Sequence, residues 1–242
     1  MTLFPDLFPG PLGASLTGKA LQDDLWRLSA RDIRAHGIGR HKNVDGRPAG
    51  GGAGMVLRPD VVADAIDATE QEFVGDLPRI YVSPRGEPFT RDLAAELASG
   101  PGALIIAGRF EGLDERVIRN RQLREVSIGD YVLTGGELAA MVIIDACVRR
   151  LTGVLGNATS IADESFETPL LEHPHYTKPV AWEGQLIPDV LLSGDHAAIA
   201  KWKSGQALAV TRARRPDLLT DRAKTDATPM LAVGQASPRD ED

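Results

Sequence analysis

Ser127-Ile128-Gly129-Asp130-Tyr131-Val132-Leu133-Thr134-Gly135-Gly136-Glu137-Leu138-Ala139-Ala140-Met141 runs a glycine-rich turn into an apolar helix. Glycine lets the backbone take positive φ and approach a ligand closely. From Glu137 onward, Leu138, Met141, Val142, Ile144, Cys147, Val148 and Leu151 leave few outward positions, which predicts a largely buried helix terminated by Gly153 and Gly156. Upstream, Arg79-Ile80-Tyr81-Val82 reads as a strand halted by Ser83-Pro84-Arg85-Gly86. Ala103 to Ala107 is a short, fully apolar run stopped by Gly108, the pattern of a buried parallel strand. Phe89 to Leu97, with Leu93 and Leu97 at helical spacing, fits the crossover helix between them. Pro59 to Gln71 opens with Pro-Asp and carries Val62, Ala65 and Ile66 on one side, a further amphipathic helix. Strands alternating with helices predict an α/β architecture for the first 150 residues.

The totals narrow the class. A chain of 242 residues holds one large domain or a domain plus a smaller one. Hydrophobic content of 43% and charged content of 25% are those of a soluble globular protein. No run approaches the roughly eighteen apolar residues that a membrane span needs. Met1-Thr2-Leu3-Phe4-Pro5 lacks the basic-then-apolar pattern of a signal peptide. Cys147, the single cysteine, excludes an internal disulfide and a multi-cysteine metal site, and reads as a core residue of its helix. These readings predict a cytoplasmic protein.

A net charge of −7 argues, taken alone, against a nucleic-acid partner, but phosphate binding depends on local charge. Ile199 to Pro216 carries Lys201, Lys203, Arg212, Arg214 and Arg215 and no acid. A second basic group, Arg27, Arg31, Arg34, Arg40, His41, Lys42 and Arg47, is diluted by Asp23, Asp24, Asp32 and Asp45. Residues 156–180 change texture, with Asn, Thr, Ser, acids and prolines, and read as an interdomain linker. Beyond Pro188, a turn at Val190 to His196 feeds helical patterns through Ala207 to Arg215 and Pro216 to Leu219. His41, His173, His175 and His196 show no metal-ligand spacing with carboxylate or cysteine support and are read as non-metal residues.

Four glycine clusters bear on function: Gly50 to Met55, Gly108 to Gly112, Ile128 to Tyr131, and Thr134 to Glu137. Each by itself is more often a plain turn than a site. Clusters placed after strand-like runs, or opening the buried helix, point instead to a ligand beyond the carboxyl ends of strands. None matches the phosphate-binding G-x-x-x-x-G-K-[ST] loop or the dinucleotide fingerprint. A neutral-backbone pocket suits an adenosine-type ligand better than a triphosphate.

These segments belong to a longer collinear series. Leu3-Phe4-Pro5, Gly50 to Met55, Tyr81 to Pro84, GRFEGLDERV (108–117), SIGDYVLTGGELAAM (127–141), GVLGN (153–157), PHYTKP (174–179) and VLLSGDH (190–196) resemble the TrmD-type tRNA (guanine-N1)-methyltransferases in order and spacing across nearly the whole chain. The resemblance implies a SPOUT-type α/β domain over 1–156 whose C-terminal part forms a trefoil knot. A linker over 157–180 would join it to a small helical tRNA-binding domain over 181–242. It further implies S-adenosyl-L-methionine as methyl donor, tRNA as partner, and a homodimer with active sites at the subunit interface. The acceptor in such enzymes is N1 of the guanosine just 3′ of the anticodon, where it follows another guanosine.

Carried over residue by residue, the cofactor pocket would use Tyr81, Val82, Ser83 and Pro84, then Gly108 and Glu111, then Ile128, Gly129, Tyr131, Leu133, Gly135 and Gly136. Ile128 and Leu133 would be core residues in most proteins; only their motif setting promotes them. Transfer to N1 requires a base for the N1 proton and a partner for charge developing on O6. The resemblance places the arginine that stabilises the guanine oxygen at Arg149 and the linker acid that acts as base at Glu164, with Asp163 beside it. Better-known members have aspartate at the position of Glu164, so either the backbone sits back by one methylene or Asp163 substitutes; Glu164 is favoured. Tyr176 and Lys178 are candidates for ordering the linker or touching RNA, Asp45 and Arg47 for contacting the acceptor nucleotide or the partner subunit, and the basic residues of 199–216 for tRNA phosphates. Such enzymes have been linked to magnesium, for which the sequence offers no evident cage. Family members also carry a few apolar residues before Leu3-Phe4-Pro5, whereas here Met1-Thr2 leave that first strand a stub. Two other readings are a SPOUT methyltransferase with a different acceptor, such as a ribose 2′-oxygen, and a non-catalytic RNA-binding or cofactor-sensing relative.

Overall fold

The computed structural model describes residues 1–73, 75–156 and 164–219. The chain divides into two compact units, Met1–Ala158 and Thr159–Asp242. In the first, the order is α1 (Ser15–Gln22), β1 (Asp45–Gly46), β2 (Val56–Leu57), α2 (Pro59–Glu70), β3 (Arg79–Pro88), α3 (Arg91–Ser99), β4 (Leu104–Ala107), α4 (Glu115–Asn120), β5 (Arg124–Ser127) and α5 (Glu137–Val148). The central sheet has three strands in the order β4-β3-β5, all parallel, so the mixed α/β class expected from the sequence holds.

Successive side chains of a strand point to opposite faces, and β3 divides the core accordingly. Tyr81 joins Ile33, Leu57, Ile66, Ile106 and Val117 on one side, while Ile80 and Val82 join Leu93, Leu97, Val126, Ala139 and Ile143 on the other. Local signals hold the flanking helices in place. Pro occupies the first turn of α2, whose Val61, Val62, Ala65 and Ile66 are buried. The Thr90 hydroxyl accepts from the Leu93 N–H to cap α3, and the Asp114 carboxylate accepts from the Arg116 N–H to cap α4. At the amino end the Ala107 N–H of β4 donates to the Met1 carbonyl at 2.9 Å, and the Ile33 N–H donates to the Thr2 carbonyl at 2.9 Å, where Thr2 and Asp32 form an isolated parallel bridge.

Two expectations are corrected. Ser83 to Gly86 do not halt β3; the strand continues to Pro88, with its pairing to β5 shifting between Val82 and Glu87. Both Val82 and Glu87 register with Val126, so the intervening residues bulge out of the ladder while the strand resumes beyond them. The apolar run of α5 is not buried all round: Leu138 is 59% and Val142 48% exposed, and the helix ends at Val148, before the glycines. The i, i+4 spacing of these two makes one outward apolar stripe, which composition could not distinguish from core.

The described part of the second unit holds an antiparallel hairpin, β6 (Ala181–Trp182) with β7 (Gln185–Leu186), followed by α6 (Asp189–Leu192) and α7 (His196–Arg214). The Asp195 carboxylate accepts from the N–H groups of Ala197 and Ala198, fixing the start of α7. This helix is continuous over the two segments that the sequence suggested separately, and Pro216–Leu218 adds a short 3₁₀ turn. Among the described residues no helix is long and apolar enough to cross a membrane.

Candidate active site

The carboxyl ends of the three parallel strands open into one cavity of about 310 Å³. β3 sends Tyr81 to Arg85, at and within its bulge, into the wall, and the loops after β4 and β5 add Gly108 to Leu113, and Ile128, Gly129 and Tyr131 to Gly136. Ala139 of α5 closes the floor. Binding crevices of parallel sheets lie in this position because the loops there converge while the strand ends hold them rigidly. All twelve pocket residues singled out in the sequence line this one cavity. Leu133 is exposed, whereas Ile128 is half-buried and packs against the core cluster around Val82 and Val126 while also lining the cavity.

Close backbone approach builds the wall. The Gly136 N–H donates to the Gly108 carbonyl at 2.8 Å, stitching the third loop to the second. A Cβ on Gly136 would meet Val82 Cγ2 at 2.6 Å and the Gly108 nitrogen at 2.7 Å, so only glycine fits. Gly54 has φ of +86°, and a Cβ there would meet Glu111 Cγ at 2.6 Å. That close approach accompanies a bond from the Glu111 N–H to the Met55 carbonyl at 2.9 Å, which brings the Gly50 to Met55 segment against the cavity rim. The Tyr131 hydroxyl donates back to the Ile128 carbonyl at 3.2 Å, closing its own loop. Tyr81 lies beneath the wall, its hydroxyl accepting from the Leu113 N–H at 3.3 Å; burial raises its phenol above the ordinary range, so it stays neutral.

One ion pair locks these loops, and sequence reasoning missed it. Glu137 is only 2% exposed; Arg109 Nη2 stands 2.9 Å from its Oε2, and Arg109 Nε donates to Oε1 at 3.1 Å. Arg109 Nη1 also donates to the Thr134 carbonyl at 3.1 Å, and the Thr2 hydroxyl donates to Glu137 Oε1 at 2.7 Å. The guanidinium sits 4.3 Å from the centre of the Phe4 ring. Loop 108–112, loop 134–136 and the amino-terminal residues are thereby tied to one buried carboxylate. Arg85, the other cation at the rim, is already matched by Glu125 at 3.1 Å and Glu115 at 3.4 Å.

The cavity presents glycine backbone, apolar surface and the Glu111 carboxylate, with its two cations compensated, a lining for a flat polar-edged group such as adenosine. Its volume lies at the low end of the roughly 300–1,000 Å³ typical of ligand pockets, large enough for such a group. A larger apolar cavity of about 790 Å³, lined by Phe8, Trp26, Phe73, Ile143 and Leu151 among others, contains none of the strand-end loops.

The transfer residues that the resemblance implies, Arg149 and Glu164, are not among those lining the cavity. Arg149 is the first residue beyond α5, half-buried, its N–H donating to the Asp145 carbonyl at 3.1 Å. Glu164 belongs to the second unit, where its carbonyl accepts from the Glu167 N–H at 3.3 Å. Asp163 lies outside the described residues.

The family model described as tRNA (Guanine-1)-methyltransferase TrmD matches residues 1–221. The chain is similar to the tRNA (guanine-N(1)-)-methyltransferase of Rhodopseudomonas palustris, 61% identical over 92% of this chain and 89% of that protein. The same-named proteins of Roseobacter denitrificans, 58% identical over 90% of each chain, and Nitrobacter hamburgensis, 60% identical over 91% and 92%, are similar too. Cavity, loops and ion pair all lie inside the matched span, and the chain belongs to the tRNA (guanine-1)-methyltransferase family.

Proposed function

We propose that this chain methylates N1 of the guanosine 3′ of the anticodon, tRNA position 37, with S-adenosyl-L-methionine as donor. The observation that carries the reading is the glycine-walled cavity built from the loops of the parallel strands, lying within the matched span. S-adenosyl-L-methionine supplies an electrophilic methyl group on a sulfonium. Apolar side chains of Ile128 and Leu133 would flank its adenine, and backbone groups of the glycine loops would read the adenine edge and ribose.

The chain's own ionisable residues do the rest. The Glu164 carboxylate takes the N1 proton as the N1 lone pair forms the new N–C bond and the S–C bond breaks. Arg149 holds the negative charge that gathers on O6. Asp163 is the second candidate for the base. The family's SPOUT-type knot belongs to this reading, as do its domain limits: methyltransferase domain 1–156, linker 157–180 and tRNA-binding domain 181–242. Lys201 and Arg214 are exposed on α7 and suit tRNA phosphates, whereas Arg215 already pairs with Asp217 at 2.6 Å. A cytoplasmic location fits a tRNA substrate.

The chain works as a homodimer in this proposal, and the exposed apolar group Val132, Leu133, Leu138 and Val142 beside the cavity is the surface a second copy would cover. Magnesium would need oxygen ligands. Among the described residues the cluster of possible metal ligands is one carboxylate with two imidazoles, which does not fit it.

The test is transfer from labelled S-adenosyl-L-methionine into a tRNA transcript carrying guanosine at positions 36 and 37, followed by nucleoside mass spectrometry. 1-Methylguanosine is expected, and Arg149→Ala should reduce it by about a hundredfold or more. A methylated ribose oxygen would favour the different-acceptor reading; tight donor binding with no product on any tRNA would favour the non-catalytic one.

A further inference from the structure

Glu172, His173 and His175 lie in the second unit and serve none of the chemistry above. Spacing along the chain set the histidines aside as metal ligands, but folding gathers one ligand-type atom from each residue within 4.8 Å of the other two. His175 Nε2 and Glu172 Oε1 are 2.9 Å apart, and the two imidazole centroids are 4.7 Å apart. Ligands around a tetrahedral zinc ion lie roughly 3.4 Å from one another, given bond lengths near 2.0–2.2 Å, so small side-chain rotations would complete the set.

A neighbouring contact favours ligation. His173 Nδ1 is 3.0 Å from the Pro174 carbonyl, which can only accept, so Nδ1 carries the ring proton and Nε2 keeps its lone pair. The segment is anchored at its start: the Leu171 N–H donates to the Thr211 hydroxyl at 2.8 Å and the Glu172 N–H to the Ser165 hydroxyl at 2.9 Å. The rings of His173 and Tyr176 both meet Trp202 of α7 edge-on. Glu172 and His173 are half-buried and His175 is exposed, which leaves one side of the cluster open to water.

We propose that Glu172, His173 and His175 bind a divalent transition-metal cation of the zinc type, water completing the coordination, and that the ion fixes residues 171–176 against α7. Two imidazoles and one carboxylate select zinc, cobalt or nickel over magnesium, which demands oxygen ligands.

Titrating the chelator-treated, tag-free full chain with cobalt(II) tests it. One equivalent per chain should bind with visible ligand-field absorption and quench tryptophan fluorescence, zinc should displace it, and millimolar magnesium should not. Glu172→Gln and His175→Ala should each weaken binding at least about tenfold, while His36→Ala and His196→Ala leave it unchanged. Both test residues reach solvent, so circular dichroism should show the same helix content in the variants. Binding no tighter than millimolar, or binding equal in the cluster variants and the parent, would overturn the proposal.

Discussion

The cavity wall of the first unit and the described part of the second are held together differently. The wall rests on backbone bonds between glycine loops, a carboxylate 2% exposed, and strand ends set in two buried clusters. In the second unit, the buried positions among the described residues are Thr211 and Leu219, while Trp182, Leu186 and Leu192 are exposed. A donor pocket must be shaped before its ligand arrives, since only preorganised dipoles act without further cost at the moment of reaction. A surface that receives RNA gains more of its order from the partner. The first unit is therefore expected to bind the donor on its own terms, and the second to contribute mainly when tRNA is present.

Glu137→Gln attacks that difference hardest. It leaves the half-buried Arg109 guanidinium without its counter-charge, and about 3 kcal/mol of stability, the low end for breaking a buried pair because Arg109 still reaches water, should disappear in urea unfolding, with donor binding weakened alongside. Gly136→Ala follows. Its Cβ cannot be accommodated between Val82 and Gly108, so a loss of about 1–3 kcal/mol and at least tenfold weaker donor binding in calorimetry are expected. Lys201→Ala with Arg214→Ala should do the reverse: donor affinity unchanged, tRNA KM raised several-fold, and the salt dependence of tRNA binding flattened by about one unit per lost phosphate contact. If the double variant disturbed donor binding instead, the division of labour between the regions would fail.

The smallest effect is a pH dependence inside the first unit. Burial pushes the Cys147 thiol up to about 11, against an ordinary value of 9.0. Between those values the unfolded chain loses the thiol proton and the folded chain keeps it, so this contribution to stability is present below pH 9 and falls as pH rises toward 11. Denaturation midpoints across that range should decline less in Cys147→Ala than in the parent. Alkylation of the folded chain at neutral pH should be slow, because the thiolate is the nucleophile.

How much of this was legible in the sequence varied with the kind of interaction. The parallel strands and the helices after Pro59 and Glu137 were readable, because period and capping residues are local properties. The cavity residues were readable as a set only through the collinear segments. Composition by itself leaves Ile128 and Leu133 indistinguishable from core. The Arg109–Glu137 pair was not legible, since the partners are 28 residues apart and charge pairing over that distance leaves no periodic trace. The outward stripe of Leu138 and Val142 was hidden for a different reason: an apolar helix looks the same whether a core or a second copy covers it. The bulge from Ser83 to Gly86 reads locally as a stop, and only pairing with β5 reveals that the strand resumes.

The most direct test of the account measures donor affinity and methyl transfer side by side in Glu164→Gln. The carboxylate belongs to the second unit and the pocket to the first, so donor Kd should stay within about twofold of the parent. Single-turnover formation of 1-methylguanosine should fall by about a hundredfold or more, the loss typical of removing a general base. Full transfer in Glu164→Gln and also in Asp163→Asn would contradict the assignment of the base to this pair, and loss of donor binding in Glu164→Gln would contradict the separation of pocket from base.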